Sequence, residues 1–150
     1  VLIENEDFGT GALTATDVRW DDGVFRYCTF HGLRLEGIHV GGTIQQSTLT
    51  DCDFYWGLFN TALLADVKFI DCVFPGTAFR GARIVACTFQ RCRFIPGNMG
   101  GSVTFDDCLV AGCMFERCEW IVNPGEKHDV NKTQWAACRQ SQCRGFDGLF

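Results

Sequence analysis

The chain has 150 residues, 47% of them apolar, with a formal net charge of −5 and a pI near 5.1. That suffices for one domain with a real core, while 13 Lys and Arg against 18 Asp and Glu argue against direct nucleic-acid binding, which needs clustered cations to neutralise phosphates. No apolar run reaches the ~18–20 residues of a membrane span.

From the N-terminus, Ile3, Phe8, Leu13 and Val18 form a weak series of apolar residues five apart. Residues 1–24 therefore read as an N-terminal cap or divergent repeats. Phe25, Phe30, Leu35 and Val40 make a clearer series. The next runs through Ile44, Leu49, Phe54, Phe59, Leu64, Phe69, Phe74, Phe79, Ile84, Phe89 and Phe94. Eleven apolar residues in one register arise by chance at a probability of roughly 0.0002, so a true internal repeat is the better explanation. After a break, Phe105, Val110, Phe115 and Trp120 resume the spacing, and the repeat block is placed at 25–120.

Two residues before each centre of the long series stand Gly42, Ser47, Cys52, Gly57, Ala62, Val67, Cys72, Thr77, Ala82, Cys87 and Cys92, none of them charged. The other three places in each five carry nearly all the charge. Register shifts fall at Arg19–Val24, Gly41–Thr43 and Gly97–Thr104. Glycine marks the last two, where a bulge or loop demands unusual backbone angles. A period of five is neither helical nor that of a flat strand. Residues i−2 and i share one face of an extended segment, so each pentapeptide is predicted to be a very short strand followed by a bend. Successive coils then pair at ~4.8 Å.

Cys52-Asp53-Phe54, Cys72-Val73-Phe74, Ala82-Arg83-Ile84, Cys87-Thr88-Phe89 and Cys92-Arg93-Phe94 carry a resemblance to the pentapeptide-repeat family. It covers roughly Phe25 to Trp120. The resemblance implies an all-β, right-handed quadrilateral β-helix with one pentapeptide per side and 20 residues per turn. Phe54, Phe74 and Phe94 would then stack as one ladder and Phe59 with Phe79 as part of another, with Phe69 and Phe89 also core centres. The register shifts and the high Cys and Phe content depart from the family pattern and leave turn-by-turn registration open.

Ten cysteines would ordinarily suggest disulfides or zinc. Here Cys28, Cys52, Cys72, Cys87, Cys92, Cys108, Cys113 and Cys118 all take the small inward position, and Cys138 with Cys143 continues the spacing. Buried free cysteine behaves as a small hydrophobe, so these read as core fillers. No CxxC is present, and so many unpaired thiols suit a reducing bacterial cytoplasm, or the inside of a host cell for a secreted effector.

No catalytic signature stands out, and neither a cofactor nor an enzymatic activity is expected. His31, His39 and His128 are far apart, Gly9-Thr10-Gly11 is too short to bind phosphate, and Asp51, Asp53 and Asp71 occupy outward places. Asn131-Lys132-Thr133 matches a glycosylation acceptor, a triplet common by chance. Residues 61–100 hold five bases and two acids against three bases and nine acids in residues 1–60. Arg80, Arg83, Arg91 and Arg93, with Asp51 and Asp53 nearby in sequence, are the candidate partner-binding surface.

Residues 121–150 read as a C-terminal cap or partial coil. Pro124-Gly125 signals a turn, and Asn131 with Gln134 fits a helix start, predicting a short helix over Lys132–Gln142 with Trp135 docked on the last coil. Alternatively the cysteines continue the repeat. No signal peptide is visible and residue 1 is Val, so the sequence reads as a trimmed chain or a domain of a larger protein.

The expected function is that of a non-catalytic protein-interaction scaffold, and the resemblance implies a domain of a bacterial effector. The partner is a host target, a neighbouring domain or a second copy through the C-terminal end. The alternative, implied by the resemblance, is a DNA-mimicking binder of DNA gyrase that gives fluoroquinolone protection. An enzyme groove on the coil would need clustered carboxylates, which the sequence lacks.

Overall fold

A computed structural model describes residues 1–9 and 18–150; Leu13 and the Gly9-Thr10-Gly11 motif beyond its first residue lie outside them. Every described element is a strand of two or three residues, and no helix is present among them. The strands stack in parallel into four sheets, one per side of a coil. Face 1 stacks Leu2–Glu4, Val24–Arg26, Thr43–Gln45, Leu63–Ala65, Arg83–Val85, Leu109–Ala111 and Gln134–Ala136. Face 2 stacks Asp7–Gly9, Thr29–His31, Thr48–Thr50, Lys68–Ile70, Thr88–Gln90, Met114–Glu116 and Arg139–Ser141. Face 3 holds Val73–Pro75, Arg93–Ile95 and Glu119–Trp120, extended by single bridges at Arg34, Asp53 and Arg144. Face 4 holds His39–Val40, Leu58–Asn60, Ala78–Arg80 and Thr104–Asp106, extended at Asp129.

The pentapeptide explains each side. The central residue and the one two before it point inward, and the residue two after the centre turns the corner. Corner residues adopt left-handed backbone angles even where they are not glycine, as at Trp56 (φ 56°), Thr61 (φ 56°), Asp71 (φ 54°) and Ala86 (φ 55°). That conformation costs an L-residue about 1–2 kcal/mol. It persists because corner N–H groups with a coil beyond them donate to it, as in Asp71 N to Gln90 O at 2.9 Å and Ala86 N to Ala111 O at 2.9 Å.

The interior is a set of side-chain ladders. Phe54, Phe74 and Phe94 stack face to face at 5.2 and 4.9 Å. Phe69, Phe89 and Phe115 stack at 4.8 and 4.9 Å, and Phe59, Phe79 and Phe105 at 4.7 and 4.5 Å. Such offset pairs add about 0.5–1.5 kcal/mol each beyond area burial. Face 1 uses Ile44, Leu64, Ile84 and Val110 instead, all buried. Phenylalanine suits this column because it presents no polar atom needing a partner.

The register shifts now have structural causes. Ile3 and Phe8 already pair with Phe25 and Phe30, so the coil begins ahead of the clear repeats. The four-residue side from Val40 to Ile44 depends on Gly42, where a Cβ would lie 2.0 Å from Gly23 O. At Pro96–Val103 the chain leaves the coil between faces 3 and 4 and returns at Phe105. A second excursion at Ile121–Asp129 leaves the same corner one coil later.

The helix predicted at Lys132–Gln142 does not form. Instead Gln134–Ala136 and Arg139–Ser141 add a further rung to faces 1 and 2, because Trp135 and Cys138 fall on the inward positions of the repeat. Thr133 takes the small inward place, its hydroxyl donating to Phe105 O at 2.8 Å. The tail then folds over the end: Phe146 inserts beside Phe115 at 5.1 Å and Trp120 at 5.6 Å. Gln140 occupies a centre position where the earlier rungs of face 2 carry apolar residues, and it is exposed because no rung covers it.

All ten thiols are free. Cys52, Cys72, Cys92, Cys118 and Cys143 form one inward column, each Sγ donating to a carbonyl of the preceding coil, such as Cys92 to Phe69 O at 3.2 Å and Cys118 to Phe89 O at 3.1 Å. Burial pushes the thiols of Cys92 and Cys108 above their ordinary range.

Phe74→Ala, in the middle of a stacked column, is expected to lose about 3–5 kcal/mol, whereas Thr88→Ala on the outer surface should stay within about 0.5 kcal/mol; urea unfolding midpoints measure both. A thiol reagent at neutral pH should label the buried cysteines only after unfolding, then reach ten per chain. Because Cys92 and Cys108 hold their protons more tightly in the fold than in the unfolded chain, their contribution to stability should be level below about pH 8.5 and fall above it. A urea midpoint that fails to drop between pH 7.5 and 9.5 in reducing buffer, or a Cys92→Ala variant with an undiminished drop, contradicts this.

Candidate functional site

The polar side chains that could do chemistry are tied into local structure. His31 Nε2 lies 3.0 Å from Asp7 Oδ1, and Asp7 also accepts Thr29 Oγ1 at 2.7 Å. His128 Nε2 meets Gly145 O at 2.6 Å and its ring stands edge-on to Trp120 at 4.8 Å, which fastens the tail. Asp51 pairs with Arg34 at 3.5 Å, Asp71 with Arg91 at 2.8 Å, and Asp53 Oδ1 accepts Tyr55 N at 3.0 Å. Among the described residues no three His, Cys, Asp or Glu side chains converge as a metal-holding group.

The four arginines do not assemble into a patch. Arg80 lies on face 4 and Arg83 on face 1, flanking one corner; Arg91 and Arg93 flank the diagonally opposite corner, between faces 2 and 3. Five-residue sides scatter them, since neighbours in sequence occupy successive sides of the coil. Arg93 approaches Glu119 at 3.7 Å. Asp51 and Asp53 join Arg91 and Arg93 on the 2–3 corner and face 3.

A different surface stands out on face 3 and its corner with face 4. Tyr55, Pro75, Ile95 and Ile121 are the outward residues following the centres Phe54, Phe74, Phe94 and Trp120, so they stack one above another. Trp56, half exposed, turns the adjoining corner with its ring stacked on Tyr55 at 5.3 Å. Its indole lies across a glycine floor: a Cβ on Gly97 would sit 2.8 Å from Trp56 Nε1, and one on Gly76 3.0 Å from Cδ1.

The first excursion emerges beside this tryptophan, and the second leaves the same corner one coil later. The first closes on itself through Gly97 N to Gly101 O and Gly100 N to Gly97 O, both 2.9 Å, and holds Met99 out at 81% exposure. The second is laced onto it by Asn123 Nδ2 to Gly100 O at 2.7 Å and Ser102 Oγ to Glu126 Oε2 at 2.8 Å. The result is a raised lobe along one edge of face 3.

Beside the lobe runs an open groove of about 520 Å³, lined by Tyr55, Pro75, Ile95, Pro96 and Asn98, with Arg34, Glu36 and Asp53 at its lip. Arg34 is drawn aside by Asp51, its Nη1 donating to Asp51 O at 2.7 Å, which leaves Glu36 and Asp53 as the acidic end. On the same face, Glu119, one rung beyond Ile95's strand, sits between Arg93 of that strand at 3.7 Å and Arg144 of the following rung at 3.5 Å, a cluster with one excess positive charge.

Sequence reasoning missed this site because it followed charge and inward positions. A signal was present: positions 55, 75 and 95 are outward, 20 apart and uncharged, and dipeptides Pro75-Gly76 and Pro96-Gly97 follow the centres of the same face.

Four sides, five residues per side and a column of Phe and Cys inside define a pentapeptide-repeat β-helix, and that is the fold of this chain. No family model matches the sequence, and no curated protein matches it. Among solved structures, a trypsin-treated variant of QnrB1, a plasmid-mediated fluoroquinolone resistance protein, is 13% identical with a TM-score of 0.53 over 95% of this chain and 66% of that one. The chain thus spans just under two thirds of that solved chain. The pentapeptide repeat protein Rfr23 from the cyanobacterium Cyanothece 51142 is 8% identical with a TM-score of 0.36 over 95% and 83% of the two chains. HetL, a pentapeptide repeat protein of the cyanobacterium Nostoc, is 11% identical with a TM-score of 0.34 over 78% and 60%.

Gly97→Ala is expected to displace the Trp56 indole while leaving the coil folded, since Gly97 has no left-handed backbone to lose. Stronger acrylamide quenching of tryptophan fluorescence with an unchanged β-sheet circular dichroism spectrum is the predicted outcome; unaltered quenching contradicts the contact.

Proposed function

We propose that the chain is a non-catalytic protein-interaction scaffold whose docking surface is the face 3 groove with the adjoining Trp56 lobe. The observation that carries this is the exposure of Trp56, Met99 and Ile121 along the edge of the half-buried Tyr55 and Ile95, while among the described residues the other exposed large apolar side chains, Val1, Leu2, Tyr27 and Phe150, lie near the ends or stand alone. Exposed contiguous apolar surface rimmed by charge marks interaction sites, and tryptophan and tyrosine are favoured anchors. The partner's chemistry follows from the rim: an extended segment, apolar in the middle, with a basic residue at the Glu36–Asp53 end and an acidic one toward Arg93 and Arg144. A thiol-filled core suits a reducing compartment, the bacterial cytoplasm or the interior of a host cell reached by an effector.

A displayed library of random peptides selected on the intact chain tests this. Enriched peptides should be apolar, carry Lys or Arg at one end, and lose at least tenfold in affinity against Trp56→Ser, a change of about 1.4 kcal/mol. Peptides indifferent to Trp56→Ser would sink the docking surface.

The likeness to QnrB1, together with the nine acids in residues 1–60, favours a second reading, protection of a type II topoisomerase by DNA mimicry. The acids at the corner between faces 2 and 3 are interrupted by Arg91 and Arg117, which weakens a continuous negative track. Gyrase supercoiling with ciprofloxacin and micromolar protein decides it: restored supercoiling supports the reading, and unrelieved inhibition ends it.

A further inference from the structure

The thiols are distributed unevenly. All but Cys108 lie on the inward positions of faces 2 and 3, and toward the C-terminal end they run unbroken. Cys52, Cys72, Cys92, Cys118 and Cys143 succeed one another on face 3, and Cys87, Cys113 and Cys138 on face 2. The inward small places of faces 1 and 4 are filled mostly by Gly, Ala, Thr and Val. A pure filler would need no such segregation.

Successive inward thiols occupy neighbouring rungs at the end of the columns, Cys143 next to Cys118 and Cys138 next to Cys113, where Arg144 N donates to Cys118 O and Arg139 N to Cys113 O, both at 3.0 Å. Cys118 N also points at Cys143 Sγ at 3.3 Å. The deeper thiols from Cys52 to Cys118 are at most 3% exposed, but Cys138 and Cys143 sit in the last coil and are partly open to solvent. The end of each column is therefore a pair of sulfurs, one buried and one reachable.

The geometry of a parallel ladder sets the spacing of such a pair. Adjacent strands lie about 4.8 Å apart, and two metal–thiolate bonds of about 2.3 Å placed end to end span nearly the same distance. A cation between the sulfurs would be held in a line by two ligands. Zinc requires four in a tetrahedron, and no third or fourth metal-binding side chain converges among the described residues. Soft monovalent ions select thiolate sulfur and are satisfied by two such ligands.

We propose that Cys118 with Cys143, and Cys113 with Cys138, form two linear sites for a soft monovalent cation of the Cu(I) or Ag(I) class at the C-terminal end of the coil. On binding, one thiol of the pair gives up its proton to solvent and forms the S–metal bond, while the other sulfur donates a lone pair. One positive charge enters as one leaves, so the interior keeps its charge and no oxidant or reductant is consumed. The carbonyls that lose a thiol donor, such as Phe115 O beneath Cys143, lie at the open end.

The reduced chain is titrated anaerobically with Cu(I) in acetonitrile and, separately, with Ag(I) and Zn(II); native mass spectrometry counts the ions, with bicinchoninate as competitor for copper. The expected result is two retained monovalent ions per folded chain and no retained zinc. Cys143→Ser and Cys138→Ser, both in the last coil, should each lose one ion with an unchanged circular dichroism spectrum, and Cys52→Ser, deep in the column, should keep both. Unchanged stoichiometry in the two last-coil variants overturns the proposal, as does equal retention by the urea-unfolded chain or retention of zinc. Should either variant misfold, protection from thiol alkylation read by peptide mass decides instead: Ag(I) must shield Cys138 and Cys143, and full alkylation of both refutes the sites.

Discussion

Everything in this molecule rests on the stacking of each inward side chain upon its like in the coil below. A single pentapeptide buries almost nothing, and a coil alone has two open rows of backbone donors and acceptors. Stacked at the spacing of a parallel sheet, the same coil pairs its backbone on both sides and lays ring upon ring at 4.5–5.2 Å. That gain offsets the left-handed corner residues, which a lone strand would not tolerate. It also dictates what the interior can contain: flat or branched apolar centres, and small neighbours among which cysteine is the most frequent.

The constraint acts inward only, which leaves the outer surface free. Charged residues a few positions apart are sent to different sides, so linear runs of charge do not become patches. Residues 20 apart do become neighbours, and through them the coil builds the Tyr55–Pro75–Ile95 column. Insertions are tolerated where they leave the rungs intact. Both long ones emerge at the corner between faces 3 and 4, and hydrogen bonds between Asn123 and Gly100 join them into one feature.

The two ends of the rod obey a different rule, because a terminal rung has only one neighbour. At the C-terminal end the chain places Gln140 where earlier coils have Phe or Leu and folds Phe146 over the exposed rings. Cys138 and Cys143 keep the inward spacing yet lose full burial. The same residue type is inert within the column and reachable at its end, a difference of position alone.

The period of five and the inward and outward places were legible in the sequence, since they follow from side-chain size repeated at fixed spacing, while the four-sided coil and its phenylalanine and thiol columns were implied by the resemblance to the pentapeptide-repeat family. Lys132–Gln142 misled because local capping signals compete with a spacing that becomes decisive only when a preceding coil is there to stack on. The seating of Trp56 over Gly76 and Gly97, the dispersal of the four arginines, and the stacking of the last thiols on neighbouring rungs were decided by the tertiary structure. Each depends on how many residues the chain spends between rungs, and those counts, 20 in one coil and 26 in another, are settled by which insertions the stack can extrude.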